Sequence, residues 1–337
     1  MQEAPNSGSF DRRREDWVSN EFVSFIIPVF NGEKFVCDAV DSCLGQTWPD
    51  VEVVVTDDGS TDSTLEALNR AYRGNPRVKL FSFPKNRGKV AAYNHCYRES
   101  SGGYIAVLDA DDLSVPDRAA VSIEALERHR AVMVCGDAIR FGDGIAGEER
   151  LAREWFGLDR DADLDFDSLL KRPKVLGPTV FAGREICGAI FPMDERMSHQ
   201  DWWMPLAAAS RGTVRHLDRP LVRYRLHGAN TSRVNPSLGF DRWLDLTTRE
   251  IFYYEQVLAR FDLTRGQDDF CRCRIRMFQL LQEKDSFKRW QEGFSGAGLA
   301  LGPGVPLRER MKYFAAMASP GLSFRASRAL AGLRRGA

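Results

Sequence analysis

Three carboxylates follow a short apolar run in the first half of the chain. The run is Tyr104–Leu108, and Asp109, Asp111 and Asp112 come directly after it. Such a run predicts a strand covered on both faces, as in a parallel sheet. Ligands of these sheets bind beyond the carboxyl ends of the strands, where crowded carboxylates repel one another unless a cation joins them. Oxygen ligands favour Mg²⁺ or Mn²⁺, which also bind phosphate, but a loop that merely caps the next helix is an open alternative.

Two other predicted strands also end in polar residues. Ser24–Phe30 is followed by Asn31-Gly32, and Val51–Val55 leads into Asp57 and Asp58. Segments with helical apolar spacing separate these strands, which predicts βαβ units and a mainly parallel sheet. Because right-handed crossovers place such strand ends along one rim, we expect all three to line a single cleft.

The remaining elements continue this α/β pattern to about residue 232, and beyond residue 240 only helices are predicted. Predicted helices cover residues 33–46, 63–72, 88–99, 116–129, 199–210, 243–261 and 270–283; further strands cover 77–83, 131–141, 177–189, 213–217 and 221–226. Loss of the alternation predicts a helical C-terminal extension to the α/β domain.

Composition excludes several classes of protein. Basic and acidic residues number 47 each, so net charge gives no sign of a nucleic-acid partner. Seven cysteines without a framework spacing favour reduced thiols in a cytoplasmic protein. Residues 1–21 lack the apolar core of a signal peptide and predict a flexible leader. No stretch is long and apolar enough to cross a bilayer, so we do not expect an integral membrane protein.

Six short motifs together resemble glycosyltransferase family 2. They are Ser24–Asn31, Ser42–Trp48, Val55–Asp62, Asn86–Gly88, Ala92–Asn94 and Leu108–Asp112. The resemblance covers about residues 22–232. It implies a GT-A fold (Rossmann-like, with a mainly parallel sheet and flanking helices) at residues 22–235, followed by the helical extension at 240–337. It also implies a nucleotide-sugar donor, a divalent metal and inversion at the anomeric carbon.

The resemblance assigns four residues to the donor's base and phosphates. Pro28 and Phe30 would surround the base, and Asp58 would accept a hydrogen bond from a uracil-type N–H. The alternative for Asp58 is a turn residue before a glycine. Lys89 would face the phosphates, and its alternative is a solvated surface lysine.

The resemblance also assigns the metal ligands. Asp109 would contact the ribose and the metal, and Asp111 would bind the metal directly beside the diphosphate. His227 lies in a Tyr-Arg-x-His segment whose histidine completes the metal shell in some relatives; a structural histidine is the alternative. Arg225 of the same segment could pair with phosphate or with a carboxylate of the cleft.

Asp201 is the predicted general base. The family has a Glu-Asp pair at the start of a helix, and this chain has Gln200-Asp201 in its place. The aspartate would take the proton of the acceptor hydroxyl as that hydroxyl attacks the sugar. An aspartate that only complements the helix dipole is the alternative.

The last 37 residues carry a basic charge: residues 301–337 contain seven basic residues and one acidic residue. A basic amphipathic tail predicts peripheral binding to an anionic membrane, for which a helix pair packed on the domain is the alternative.

The sequence therefore predicts an inverting, metal-dependent glycosyltransferase that uses a nucleotide sugar, of which a UDP-sugar is the first choice. The acceptor would be a glycan or a lipid-linked glycan of a cell-surface polysaccharide, and the location cytoplasmic or at the inner face of the membrane. Two other functions remain as alternatives. One is a sugar nucleotidyltransferase. Such enzymes usually have a Gly-rich loop bearing Arg and Lys after the first strand, and Pro28–Gly32 of this chain does not match that loop. The other is a sugar-nucleotide-binding scaffold without catalysis, against which the retained carboxylates argue.

Overall fold

The computed structural model describes residues 22–142, 150–151, 157–158, 160–171, 174–227 and 240–282. The predicted leader, the segment after His227 up to residue 239 and the basic tail lie outside these ranges. The chain divides into two compact units, one of residues 1–196 and 200–228, the other of residues 197–199 and 229–337. Among the described residues, none of the helices combines the length and the hydropathy needed to span a membrane.

The first unit contains a large mixed sheet with helices around it. Its strands are β1 (Val23–Val29), β2 (Val51–Asp57), β3 (Val78–Ser82), β4 (Tyr104–Val107), β5 (Leu113–Ser114), β6 (Met133–Gly142), β7 (Ala162–Leu164), β8 (Phe181–Gly183) and β9 (Val214–Leu226). Its helices are α1 (Val36–Leu44), α2 (Thr64–Tyr72), α3 (Lys89–Glu99), α4 (Arg118–His129), α5 (Phe166–Lys171), α6 (Arg184–Ile190) and α7 (Gln200–Ala209).

Within the described residues the strand order is β3-β2-β1-β4-β8-β6-β9-β5, and β7 pairs with β9. The pairs β3-β2, β2-β1, β1-β4 and β6-β9 are parallel and include the longest ladders. Strands β8, β5 and β7 join antiparallel to their neighbours. The predicted α/β class, with a mainly parallel central sheet and flanking helices, is confirmed.

The central strands are mainly apolar because both faces of the sheet are covered, although Ser24 of β1 and Glu52, Thr56 and Asp57 of β2 are buried polar residues. All seven residues of β1 and all seven of β2 are buried. Pairing of β1 with β4 ends at Ile26 and Val107, whereas pairing with β2 continues to Val29 and Asp57. Pro28 has no N–H to donate, and it lies in the part of β1 that pairs with β2 alone.

Two predicted stretches of strand are wrong in detail. The stretch 177–189 contains only the short β8, because a 3₁₀ turn precedes it at Gly177–Thr179 and α6 follows it. A short buried helix and a buried strand can both have an apolar run of this length. The run by itself therefore does not tell which of the two forms. The two strands expected at 213–217 and 221–226 are the single strand β9, where a break in register opposite Gly136 and Asp137 accommodates Pro220.

The second unit contains two helices within residues 240–282. Helix α8 spans Phe240–Arg260 and helix α9 spans Arg265–Gln282. Tyr253, Val257 and Cys271 are fully or almost fully buried between them. The helical C-terminal extension predicted from residue 240 is therefore present over the described residues.

Candidate active site

The three carboxylates after β4 come together in a tight turn, the acidic turn Asp109–Asp112. One oxygen from each of Asp109, Asp111 and Asp112 lies within 4.8 Å of the other two. The amide of Asp112 donates to the carbonyl of Asp109 at 3.1 Å, which closes the turn. Burial, and then the charges of Asp109 and Asp111, raise the pKa of Asp112 well above its usual value. The turn thus concentrates negative charge that a cation would stabilise.

Two residues of α3 contact the same oxygen of Asp109. Nζ of Lys89 lies 2.9 Å from Oδ1, and the hydroxyl of Tyr93 donates to that oxygen at 2.9 Å. They are four residues apart, so they share one face of the helix. Burial lowers the pKa of Lys89, but the carboxylates of Asp109, Asp201 and Asp111 outweigh this effect and the pKa is raised overall. A positive charge therefore stands beside the acidic turn. The side chain of Lys89 is also 42% exposed, so both the predicted phosphate contact and the surface-lysine alternative stay predictions.

The end of β9 approaches the acidic turn from the other side. Nε2 of His227 lies 3.0 Å from Oδ2 of Asp111. Arg225 donates from Nε to the backbone carbonyl of Asp111 and from its amide to Oδ1 of Asp112, both at 2.9 Å. In these two contacts the side chain of Arg225 meets a backbone carbonyl and its backbone amide meets a carboxylate. The ion pair of its guanidinium is with Asp38 on α1, at 2.9 Å.

Asp201 lies in the first turn of α7 and is partly buried. Nε2 of Gln200 donates to its Oδ1 at 3.3 Å. Burial raises the pKa of Asp201 to about 6; Lys89 opposes this shift and Asp109 adds to it. A Cβ on Gly177 would stand 2.1 Å from Oδ1 of Asp201, so only glycine leaves room for the carboxylate. The charges of Lys89 and Asp109 therefore both act on the carboxyl group of Asp201.

Asp58 supports the loop that follows β3. Its carboxylate accepts hydrogen bonds from the amides of Arg87 at 2.7 Å and Gly88 at 2.9 Å, and the residue is 2% exposed. Gly59 has φ +70°, and a Cβ there would meet the backbone of Lys85 at 2.5 Å. The carboxylate of Asp58 therefore supports the 87–88 loop, whereas within the turn the amide of Ser60 donates to Oδ1 of Asp57 at 3.2 Å. Lone pairs of Asp58 remain for a further donor.

The aromatic side chain expected at the base is accessible. Phe30 is 47% exposed at the end of β1, whereas Pro28 is buried within that strand. Asn31 follows with φ +53°, a left-handed conformation that asparagine tolerates, and its Oδ1 accepts from the amide of Thr61 at 2.8 Å. Of the pair assigned to the base, Phe30 is the one that faces solvent.

The side chains at the acidic turn fit a hard divalent cation. Carboxylates and one imidazole are the donors such ions take, and Asp109, Asp111 and His227 would hold it. Oδ2 of Asp112 is buried and has no hydrogen-bond partner among the residues that the structure describes. Acceptor capacity therefore exceeds the available donors at this turn.

Tyr93 is not among the site residues predicted from the sequence, and the sequence left the role of Arg225 open. The signal for Tyr93 was its helical spacing from Lys89, which placed both on one face. The signal for Arg225 was its position at the end of a predicted strand, two residues before His227.

A family model described as Glycosyl transferase family 2 matches residues 24–180. The chain is 32% identical over 221 residues to the chondroitin synthase of Escherichia coli, an alignment that covers 62% of this chain and 30% of that protein. It is 28% identical over 237 residues to TuaG of Bacillus subtilis (strain 168), a protein named for teichuronic acid biosynthesis, covering 70% of this chain and 88% of that protein. The chain spans less than half the length of the first curated relatives it matches.

Solved structures with the same fold extend over most of the chain. The S. aureus TarS fragment 1–349 in complex with UDP has a TM-score of 0.60 at 17% identity, covering 91% of each chain. The mannosyltransferase PcManGT of Pyrobaculum calidifontis, in complex with GDP-Man and Mn²⁺, has a TM-score of 0.55 at 16% identity, covering 97% of this chain and 94% of that one. At this level of identity the likeness shows a shared fold.

Proposed function

Through the domain that contains residues 24–180 the chain belongs to glycosyltransferase family 2, and from this premise we propose that it transfers a sugar from a nucleotide-sugar donor to a hydroxyl group of a glycan or lipid-linked acceptor. The observation that carries the proposal is the acidic turn, with Nζ of Lys89 2.9 Å from Oδ1 of Asp109 and with the charges of both residues acting on Asp201. A UDP-sugar is the first candidate donor, because TarS was solved with UDP, and a GDP-sugar is the second, because PcManGT was solved with GDP-Man.

The donor would bind with its base at Phe30 and Asp58 and its diphosphate at the acidic turn. Phe30 offers an exposed ring for stacking, and Asp58 has lone pairs left for an N–H of the base. Lys89 would pair with a diphosphate oxygen, exchanging part of its contact with Asp109. These roles remain proposals for each residue.

Mn²⁺ or Mg²⁺ held by Asp109, Asp111 and His227 would supply Lewis-acid stabilisation of the charge that develops on the departing nucleoside diphosphate. The lysine ammonium adds a second positive charge at the same place.

Asp201 would accept the proton of the acceptor hydroxyl. Its raised pKa of about 6 leaves it mostly ionised at neutral pH, yet basic enough to take a proton in the transition state. The acceptor oxygen forms a bond to the anomeric carbon, the bond from that carbon to the diphosphate oxygen breaks, and the proton moves to Asp201. A single displacement of this kind inverts the anomeric configuration.

The acceptor proposed is a growing cell-surface polysaccharide, since the matched relatives include a chondroitin synthase and a protein named for teichuronic acid biosynthesis. We also propose a cytoplasmic location with peripheral contact to the inner membrane face. The seven basic residues of 301–337 are the basis, each worth about 1 kcal/mol near an anionic surface. Vesicle flotation with and without 301–337 tests the contact, and equal flotation would refute it.

A panel of UDP-, GDP- and dTDP-sugars with and without Mn²⁺ tests the transferase function. We expect metal-dependent release of nucleoside diphosphate from one donor class, lost on Asp111→Asn and kept on Asp163→Asn, a variant of an exposed surface carboxylate. Donor binding without any release of diphosphate would favour the scaffold, and formation of a sugar nucleotide from nucleoside triphosphate and sugar phosphate would favour the nucleotidyltransferase.

A further inference from the structure

We propose that Arg225 is a positioning residue that braces the acidic turn and so sets the geometry of the metal site. For its consequence on metal binding the inference rests on the proposed function; the brace itself rests on contacts of the described residues. Neither the family match at 24–180 nor the sequence motifs assign this role.

Strand pairing brings Arg225 to the turn. The short strand β5 follows the acidic turn directly, and its antiparallel register with β9 sets Leu113 opposite Arg223. Continuing that register by two residues sets Asp111 opposite Arg225. The contact therefore depends on a pairing between segments more than a hundred residues apart in sequence.

Three hydrogen bonds of Arg225 reach three different places. Its amide donates to Oδ1 of Asp112, its Nε to the carbonyl of Asp111, and its terminal NH2 group to Oδ2 of Asp38 on α1, each at 2.9 Å. Two of these donors, Nε and Nη2, belong to the guanidinium, which points them in fixed directions at once, as an ammonium cannot do. The turn is thereby tied to both β9 and α1.

Two aromatic rings pack against the guanidinium of Arg225. Its carbon lies 4.7 Å from the ring centroid of Phe35 and 4.6 Å from that of Phe141, and the side chain is 17% exposed. Cation–π contacts of this kind stabilise the guanidinium, and they do so more strongly where water is excluded. Packing against both rings restricts the rotamers of the Arg225 side chain, which would otherwise be flexible.

The same brace orients His227. The imidazole lies 4.7 Å from the ring of Phe35, the ring that also covers Arg225, and one residue, Leu226, separates His227 from Arg225. Two residues at the end of β9 therefore contact Asp111. Arg225 donates to its backbone carbonyl, and His227 contacts its carboxylate. Loss of such supporting contacts around metal ligands typically costs 10–100-fold in metal affinity.

The test compares Arg225→Met, Arg225→Lys and the matched control Arg223→Met. Arg223 lies on the same strand, exposed, with its guanidinium 4.6 Å from the same Phe141 ring. Hydrogen–deuterium exchange of the metal-free protein reports on amides 109–114, and Mn²⁺ titration followed by electron paramagnetic resonance gives the dissociation constant. For Arg225→Met we expect exchange in 109–114 to rise at least about tenfold and the Mn²⁺ dissociation constant to rise by about 10–100-fold.

Arg223→Met should leave both quantities at the wild-type values, and Arg225→Lys should fall between wild type and Arg225→Met. Should the methionine variant fail to fold, the lysine variant carries the comparison. Unchanged exchange at 109–114 in a folded Arg225 variant overturns the brace, as does a rise spread evenly over the whole protein. Raised exchange with an unchanged Mn²⁺ affinity overturns the link to the metal site. If the wild type takes up no Mn²⁺, the proposed metal function is wrong, and the exchange comparison alone decides whether Arg225 braces the turn.

Discussion

Replacing the proposed general base should inactivate the protein and stabilise it in one step. In Asp201→Asn the side chain keeps its size and its ability to accept from Gln200, but it loses the charge and the basic site. Loss of a general base typically costs 10²–10⁴-fold in rate. A buried carboxylate whose pKa is raised is, in contrast, a cost to the folded state at neutral pH.

The size of the stabilisation follows from the pKa of Asp201. Its value rises from 3.8 to about 6 on folding, chiefly through burial. Because the folded state holds the proton more tightly, the free energy of unfolding falls as pH rises from about 4 to 6 and stays lower above that range. The difference of about two pKa units corresponds to at most about 3 kcal/mol. Asp201→Asn removes this cost, so the variant should gain up to that amount above pH 6 and nothing below pH 4.

Urea unfolding in metal-free buffer at pH 4.0 and 7.5, together with donor turnover at pH 7.5, measures both effects. The control Asp163→Asn changes a carboxylate that is 62% exposed and paired with Arg215 on the surface, so its stability should change by less than about 1 kcal/mol and its activity should persist. The reasoning is refuted if Asp201→Asn is less stable than wild type at pH 7.5, if its advantage is the same at both pH values, or if it keeps wild-type turnover.

Three further variants probe the surroundings of the site. Gly177→Ala should push the carboxylate of Asp201 aside and lower kcat by about 10²-fold, and an unchanged kcat would contradict the assigned close approach. Gln200→Glu adds a like charge beside Asp201, so the acidic limb of the pH profile of kcat should move to higher pH; a fixed limb would argue against Asp201 as the titrating base. Tyr93→Phe removes one donor to Asp109 and should lower kcat/KM by about tenfold, with a wild-type value showing that this hydrogen bond does not matter.

Local patterns explain why much of the fold was predictable. The runs at β1, β2 and β4 are apolar because the sheet is covered on both faces, and the polar residues after them mark the strand ends. The stretch 177–189 was not predictable in this way. There an apolar run serves a turn, a strand and a helix in succession, and burial makes all three look alike.

The sequence by itself determined which residues could do chemistry and on which strand ends they stand. Asp109 and Asp111 follow β4, and Asp58 follows β2. Each strand and its carboxylates lie within a few consecutive residues, so the sequence alone shows that they are neighbours.

Only the tertiary structure decided how these residues are charged and held. His227 and Asp111 are 116 residues apart in the chain, and Arg225 reaches the same turn through the pairing of β5 with β9. Burial and the charge of Asp109 raise the pKa of Asp201, and the charge of Lys89 lowers it. Both charged residues belong to other segments of the chain. Desolvation and Coulomb energy depend on distance in space, and spacing along the sequence does not contain that distance.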